Sequence, residues 1–401
     1  MNIDYRYASR SDVHTSADAT TVGFASNLAR EATYFRGLVE RPLVLREGLA
    51  TLSNVVRSDF TYRARDRASF EAYLARRESA FLAQLGARSD EAMEALTRLE
   101  ARLVELDAAR ALRRAAFERA RRAYIAYAVK SAIEIELLLD PVVSVHPDRL
   151  CFEAFSRDSS AYAILSLGYA AFSRIDAFAC GTTNVDFSAA MRLHVERLRG
   201  YRPTSLVVGP AGVRSTSKEL DGGLAVLDER RIALPDDWFS GFSNVHGFLS
   251  MGLVGLRIDK VDLHDLIRLL AAKKARTSPR ALRFELVPGE RVRIVVEPFE
   301  TVITCAFAYE GDKPAVIRVW GRDRLRTLAR ALPLARSVEV MLLGTGLPYV
   351  VRLDLDGEAT LTLALSGWTD NDFVEGEARF DLLTRRAHVD ASTLTRVHDA
   401  L

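Results

Sequence analysis

The sequence predicts an α+β protein: an N-terminal helical, coiled-coil-like hairpin, then a body built from repeated units of one helix plus one antiparallel hairpin, whose stacked helices suggest a clamp-like surface. Three stretches predict this. In Val261–Glu297, Leu263, Leu266, Ile267 and Leu270 fall at helical spacing, whereas Leu282, Phe284 and Leu286, then Val292, Ile294 and Val296, alternate with period two across Pro288-Gly289. Arg322–Leu363 repeats the plan, with Leu325, Leu328 and Leu332 before Val338, Val340 and Leu342, a Gly344-Thr345-Gly346 turn, and Val351, Leu353 and Leu355. A fainter copy runs through Ser188–Val213. Copies of one supersecondary unit bury their apolar faces against one another.

Residues 1–65 form an N-terminal segment: an edge strand or polar tail at Asn2–Tyr7, a short helix over Thr21–Leu38, and a second segment over Pro42–Asp59. Residues 66–140 are the helical hairpin. The block lacks proline, is rich in Ala, Leu, Glu and Arg, and carries a narrow seam of Leu96, Leu99, Leu103 and Leu106 that suits an antiparallel pair of helices. At Asp140-Pro141 the period changes, and residues 141–383 form the repeat-built body, with a short helix over Tyr169–Ala179 and a polar tail at 384–401.

Composition excludes several classes. With 49% hydrophobic and 27% charged residues the chain is an ordinary globular protein, long enough for two or three domains. Cys151, Cys180 and Cys305 are too few and too scattered for a disulfide framework or paired metal ligands, so no metal is expected. No signal peptide and no apolar run near the ~20 residues of a membrane span is present, and the expected location is cytoplasmic, without a membrane partner.

Catalytic signals are weak. Gly181-Thr182-Thr183-Asn184 and Gly344-Thr345-Gly346 resemble anion-cradling turns, but neither opens a helix as a P-loop does. Asp236, Asp237, Asp370 and Asp372 sit near Trp238 and Trp368, where turns attract Asp anyway, and His146, His194, His246 and His264 share no metal-binding spacing. Trp368, Asn371 and Asp372 remain loop candidates, and an enzyme with its site at these loops is the weakest reading.

Charge distribution says more. The 55 Lys and Arg nearly balance 53 Asp and Glu, yet Asp262–Arg280 holds five basic residues against two acidic, Arg322–Arg336 five against one, and Ser188–Arg202 four against one. The candidate binding residues are therefore Arg192, Arg197, Arg199, Arg268, Lys273, Lys274, Arg276, Arg322, Arg324, Arg326 and Arg330. Helices of one sign lining a sheet suit a phosphate backbone, as in ring-shaped DNA clamps; the plainer reading is solvated faces whose Arg stems cover apolar surface.

Seven motifs carry a family resemblance: LDPVVSVHPD at Leu139–Asp148, CGTTNVDFS at Cys180–Ser188, IALPDDW at Ile232–Trp238, PRALRF at Pro279–Phe284, VWGR at Val319–Arg322, LLGTGLP at Leu342–Pro348 and LSGWTDND at Leu365–Asp372. Together they resemble the long N-terminal region of certain bacterial SWIM zinc-finger proteins, over about Thr51 to Leu383. The resemblance implies a non-enzymatic adaptor working with a MoxR-type AAA+ ATPase and a von Willebrand factor A-type protein in a bacterial ternary or conflict-type system. The finger itself needs Cys-x-Cys followed by Cys-x-His, and no such set occurs in this sequence, so zinc carries over to no residue and would enter only with a finger-bearing segment outside this chain.

Overall fold

The computed structural model describes residues 2–7, 11–15, 19–26, 33–60, 75, 98–99, 101–106, 108, 141–185, 189–209, 228–233, 237–275, 277–356, 358–367 and 372–374. The chain divides into two units, one of Met1–Arg63, Leu139–Ala275 and Arg280–Leu401, the other of Ala64–Leu138 and Arg276–Pro279.

The larger unit opens in strands, not in a helical hairpin. β1 (Asn2–Tyr7), β2 (Asp12–Thr15), β3 (Thr20–Ala25) and β4 (Tyr34–Val39) precede α1 (Pro42–Arg57). The helix expected over Thr21–Leu38 is thus two strands. Thr-Thr-Val-Gly-Phe-Ala and Tyr-Phe-Arg-Gly-Leu-Val are β-branched and aromatic, and β4 alternates buried with half-buried positions. Pro42 starts α1 at a position that needs no N–H donor, and Leu45, Leu49, Leu52 and Val55 bury against β6 (Arg149–Phe155) and β7 (Ala161–Gly168). Full burial of each such side chain contributes roughly 1.5–3 kcal/mol.

The remaining elements are β5 (Val142–Val145), β8 (Phe172–Ala179), β9 (Gly181–Asn184), α2 (Ala189–Val195), β10 (Thr204–Gly209), β11 (Asp228–Ala233), α3 (Asp237–Leu249), β12 (Val254–Ile258), α4 (Lys260–Ala272), β13 (Leu282–Leu286), β14 (Arg291–Val296), β15 (Thr301–Ala308), β16 (Ala315–Val319), a 3-10 helix at Arg322–Ala329, β17 (Ala335–Leu342), β18 (Tyr349–Leu355) and β19 (Ala359–Leu365). The short helix expected over Tyr169–Ala179 is one 3-10 turn, Tyr169–Ala171, followed by β8.

The strands form an eight-stranded sheet in the order β12-β17-β18-β19-β7-β6-β5-β9, a five-stranded sheet β2-β3-β10-β4-β8, a four-stranded sheet β15-β14-β13-β16, and the pair β1-β11. The helix-plus-hairpin repeat does not survive this topology. The hairpin β13–β14 joins the four-stranded sheet and the hairpin β17–β18 the eight-stranded one, while β10 runs parallel to β3 and antiparallel to β4. Local periodicity finds a helix and an alternating pair, but which sheet a hairpin joins depends on partners far away in sequence.

The repeat that exists is larger and has two copies. In the first, β4 leads into α1, then β5, β6, β7 and β9, then α2 and β10; in the second, β12 leads into α4, then β13, β14, β15 and β16, then the 3-10 helix and β17. The pairings match: β4 with β10 as β12 with β17, and β5–β6, β6–β7 and β5–β9 as β13–β14, β14–β15 and β13–β16, all antiparallel. The first copy differs by carrying β8 and the long span between α1 and β5. The eight-stranded sheet forms where the copies meet, with Ala161–Leu167 of β7 antiparallel to Ala359–Leu365 of β19.

In the smaller unit, residues 98–99 and 101–106 are helical. Leu99, Leu103 and Leu106 are 68%, 61% and 51% exposed, so this part of the expected leucine seam is not buried. Apart from residues 75 and 108, which are also helical, the rest of the expected hairpin and the tail 384–401 lie outside the described residues.

Candidate nucleic-acid interface

Four helical segments of the larger unit lie side by side. α1 packs on α2 and on the 3-10 helix, the 3-10 helix packs on α4, and α1 and α4 also rest on strands of the eight-stranded sheet. α4 is the best defined. Asp259 caps it by accepting from Val261 N (2.8 Å) while Asp262 accepts from Asp259 N (3.2 Å), a reciprocal arrangement that satisfies two orphan donors. Leu263, Leu266, Ile267 and Leu270 face inward, leaving Arg268, Lys273 and Lys274 exposed.

In α2 and the turn after it, Met191, Val195 and Leu198 are buried and Arg197 and Arg199 are exposed, with Arg192 half-buried. Arg330 ties the row together: its Nε donates to Glu47 of α1 (2.9 Å) and its Nη1 to Glu196 beyond α2 (2.6 Å). Those hydrogen bonds, from Glu196 first, raise its pKa. Arg46 adds a bond to Leu198 O (3.1 Å).

Arg322 and Arg324 are different. A 3-10 helix has three residues per turn, so positions three apart share a side. Asp323, Arg326 and Ala329 are exposed, while Arg322, Leu325 and Leu328, and likewise Arg324 and Thr327, are buried. Arg322 Nη1 donates to Glu297 O, and its guanidinium lies 5.6 Å from the Phe299 ring centroid. Arg324, 0% exposed, donates to Ser160 O (2.5 Å), Ser366 Oγ (2.9 Å), Ser366 O (2.5 Å) and Trp320 O (3.2 Å). Burial lowers the pKa of both guanidiniums. With their guanidiniums buried in the core, these two stand apart from the exposed cations. A helical reading at 3.6 residues per turn groups Arg322 with Arg326 and Arg330; the buried pair is legible only at period three.

Elsewhere the candidates scatter. Gly181–Asn184 is strand β9, with Thr183 and Asn184 buried and Thr182 Oγ1 3.0 Å from Ser144 Oγ. Gly344-Thr345-Gly346 is the β17–β18 turn; Thr345 Oγ1 accepts from Arg318 N (3.2 Å), and Gly346 N donates to Arg318 O (2.9 Å). Asp372 Oδ1 accepts from Val374 N (2.8 Å), which is ordinary turn chemistry. Arg276, Trp368 and Asn371 lie outside the described residues.

His246 Nε2 stands 4.0 Å from Glu153 Oε2, which accepts from the buried Tyr162 hydroxyl (2.6 Å). A cleft of about 380 Å³ at the four-stranded sheet is lined by Glu285, Val287, Arg291, Val316 and neighbours, with no Ser, Cys or His among them. Among the described residues, no group of three or more His, Cys, Asp or Glu is placed to hold a metal ion, and no helix is long and apolar enough to cross a membrane.

No family model and no curated protein matches the chain, so the SWIM-type resemblance and its ATPase and von Willebrand factor A-type partners gain no support. Among solved structures, the chain is similar to the Proliferating Cellular Nuclear Antigen of Entamoeba histolytica, with 7% identity, a TM-score of 0.45, and 83% of this chain and 98% of that one covered. It is also similar to the PCNA of Thermococcus kodakaraensis, with 13% identity, a TM-score of 0.37, and 57% and 90% covered. Likenesses this distant carry no weight for the function of this chain.

Proposed function

We propose that the protein binds nucleic acid along the row formed by α2, α1, the 3-10 helix and α4, in a clamp-like manner. The observation that carries this reading is the charge on that row. Arg197, Arg199, Arg268, Lys273, Lys274 and Arg326 are exposed against exposed Glu196, Asp265 and Asp323, and Glu196 is already held by Arg330. Exposed cations on neighbouring segments meet successive phosphates, and binding then gains from counterion release. Such contacts position a backbone without reading sequence, so the expected ligand is duplex or single-stranded nucleic acid of any sequence.

The test is fluorescence anisotropy with labelled duplex and single-stranded oligonucleotides over a salt series. Affinity is expected to fall linearly in log–log form, with a slope of roughly −0.9 per phosphate contact on duplex. A chain that leaves both oligonucleotides unbound at low salt does not have this function.

A further inference from the structure

We propose that β15 is an assembly edge that pairs with a strand of a second copy of this chain. This rests on the internal repeat, not on the nucleic-acid reading, and the two fail separately.

In the repeat, β15 is the counterpart of β7: each is the third strand of its meander, with Thr301–Ala308 answering Ala161–Gly168. The far side of β7 is filled over its length by β19. β15 ends its sheet, and among the described residues no strand pairs with it on the far side. The outward faces differ as well: Tyr162 and Ile164 of β7 pack in a cluster with Val245 and Phe248 of α3, whereas Val302, Thr304 and Ala306 of β15 are exposed, Val302 at 41%.

Edge strands normally carry a charge, a proline or a covering segment that discourages pairing. β12 has Arg257, β8 has Arg174 and Asp176, and β16 is capped at Arg318 by the Gly344–Gly346 turn. β15 reads Thr-Val-Ile-Thr-Cys-Ala-Phe-Ala, eight residues with no charge and no proline. At its end the Ala306 N–H is taken by Asp262 Oδ2 (2.8 Å) and the Arg257 guanidinium lies 4.4 Å from the Phe307 ring centroid, leaving Thr301–Cys305 as the pairing stretch. β19, the strand that fills this edge on β7, is occupied on both sides in every copy and is not the occupant. The strand with a free edge in a second copy is β15 itself, so Thr301–Cys305 of two copies pair antiparallel about a twofold axis, each closing the other's edge.

The experiment is sedimentation of the full chain over a concentration series, for wild type, the Val302→Lys/Thr304→Lys double variant, and Val316→Lys. Val316 is 57% exposed on β16 and serves as the control. Wild type is expected to self-associate, the double variant at least about tenfold more weakly, equivalent to about 1.4 kcal/mol, and Val316→Lys as wild type does. Amide hydrogen exchange in wild type gives a readout independent of the variants' folding: Thr301–Cys305 should gain protection as concentration rises. A chain monomeric at every concentration, an association unchanged in the double variant, or exchange at β15 that ignores concentration overturns the proposal.

Discussion

Arg324 Nη2 donates to Ser366 O at 2.5 Å while its Nη1 reaches both Ser366 Oγ (2.9 Å) and Ser160 O (2.5 Å), so one buried guanidinium holds the end of β19 and the start of β7 together. These are the two strands through which the repeats join. Gly321, in the left-handed region at φ 67°, starts the 3-10 helix, and its carbonyl accepts from Arg324 Nε (3.0 Å). Replacing Arg324 by Met takes a donor from the carbonyls of Ser366 and Trp320 and from Ser366 Oγ, while Ser160 O keeps Ser366 N and Gly321 O keeps the backbone N–H of position 324; each buried polar group left unsatisfied costs about 1–3 kcal/mol. The expected loss in urea unfolding is about 3 kcal/mol. Arg324→Lys should recover less than half of it, because an ammonium cannot reach the same fork of acceptors.

Gly48 sits inside α1, where glycine costs about 1 kcal/mol relative to alanine. A Cβ there would lie 2.7 Å from Cδ1 of Leu165, a fully buried side chain on β7. Gly48→Ala should therefore destabilise by about 1–3 kcal/mol despite its better helix propensity. A rise in thermal midpoint would show that the helix can retreat from the sheet at no cost.

Burial pushes the Cys151 thiol up from 9.0 to about 11 and the Cys305 thiol to about 12. The Tyr349 hydroxyl, wholly buried, goes from 10.0 to about 12. The unfolded chain releases these protons first, so the stability they contribute is intact below about pH 9 and lost as pH rises towards 12. Urea midpoints should fall over that window, and a Cys151→Ala/Cys305→Ala variant should show a shallower fall. Cys180 is exposed, and a thiol reagent should modify it in the native protein while the other two react only on unfolding.

Lys273 and Lys274 follow α4 and are both exposed. Lys273→Glu/Lys274→Glu should weaken oligonucleotide binding at low salt and flatten the salt slope by about one unit per lost phosphate contact. Thermal stability should stay near that of wild type. An unchanged slope would place the phosphate contacts elsewhere.

Individual elements were legible in the sequence wherever one face is buried. The alternating inward residues of β13 and β14, and the inward leucines of α4, predict those elements because burial enforces the period. The sheets were not legible, since β13 and β17 look alike locally yet pair with different strands. The stretch holding β3 and β4 reads as helical because Ala, Leu, Arg and Glu dominate residues 25–40, between and around two short strands. The positive charge of the helices was legible as a count, but a count cannot tell exposed Arg326 from Arg324 at the core, two positions away. The tighter 3-10 winding is needed to separate buried Arg322 from exposed Arg326, which a 3.6-residue helix would put on one face.

The most direct measurement is ultraviolet crosslinking of bound oligonucleotide followed by mapping of the modified peptides. Crosslinks concentrated in residues 189–202, 260–274 and 322–330, on the row of helices, are the predicted result. Crosslinks confined to the strands of the four-stranded sheet or to β8, with the helix peptides unmodified, would contradict it.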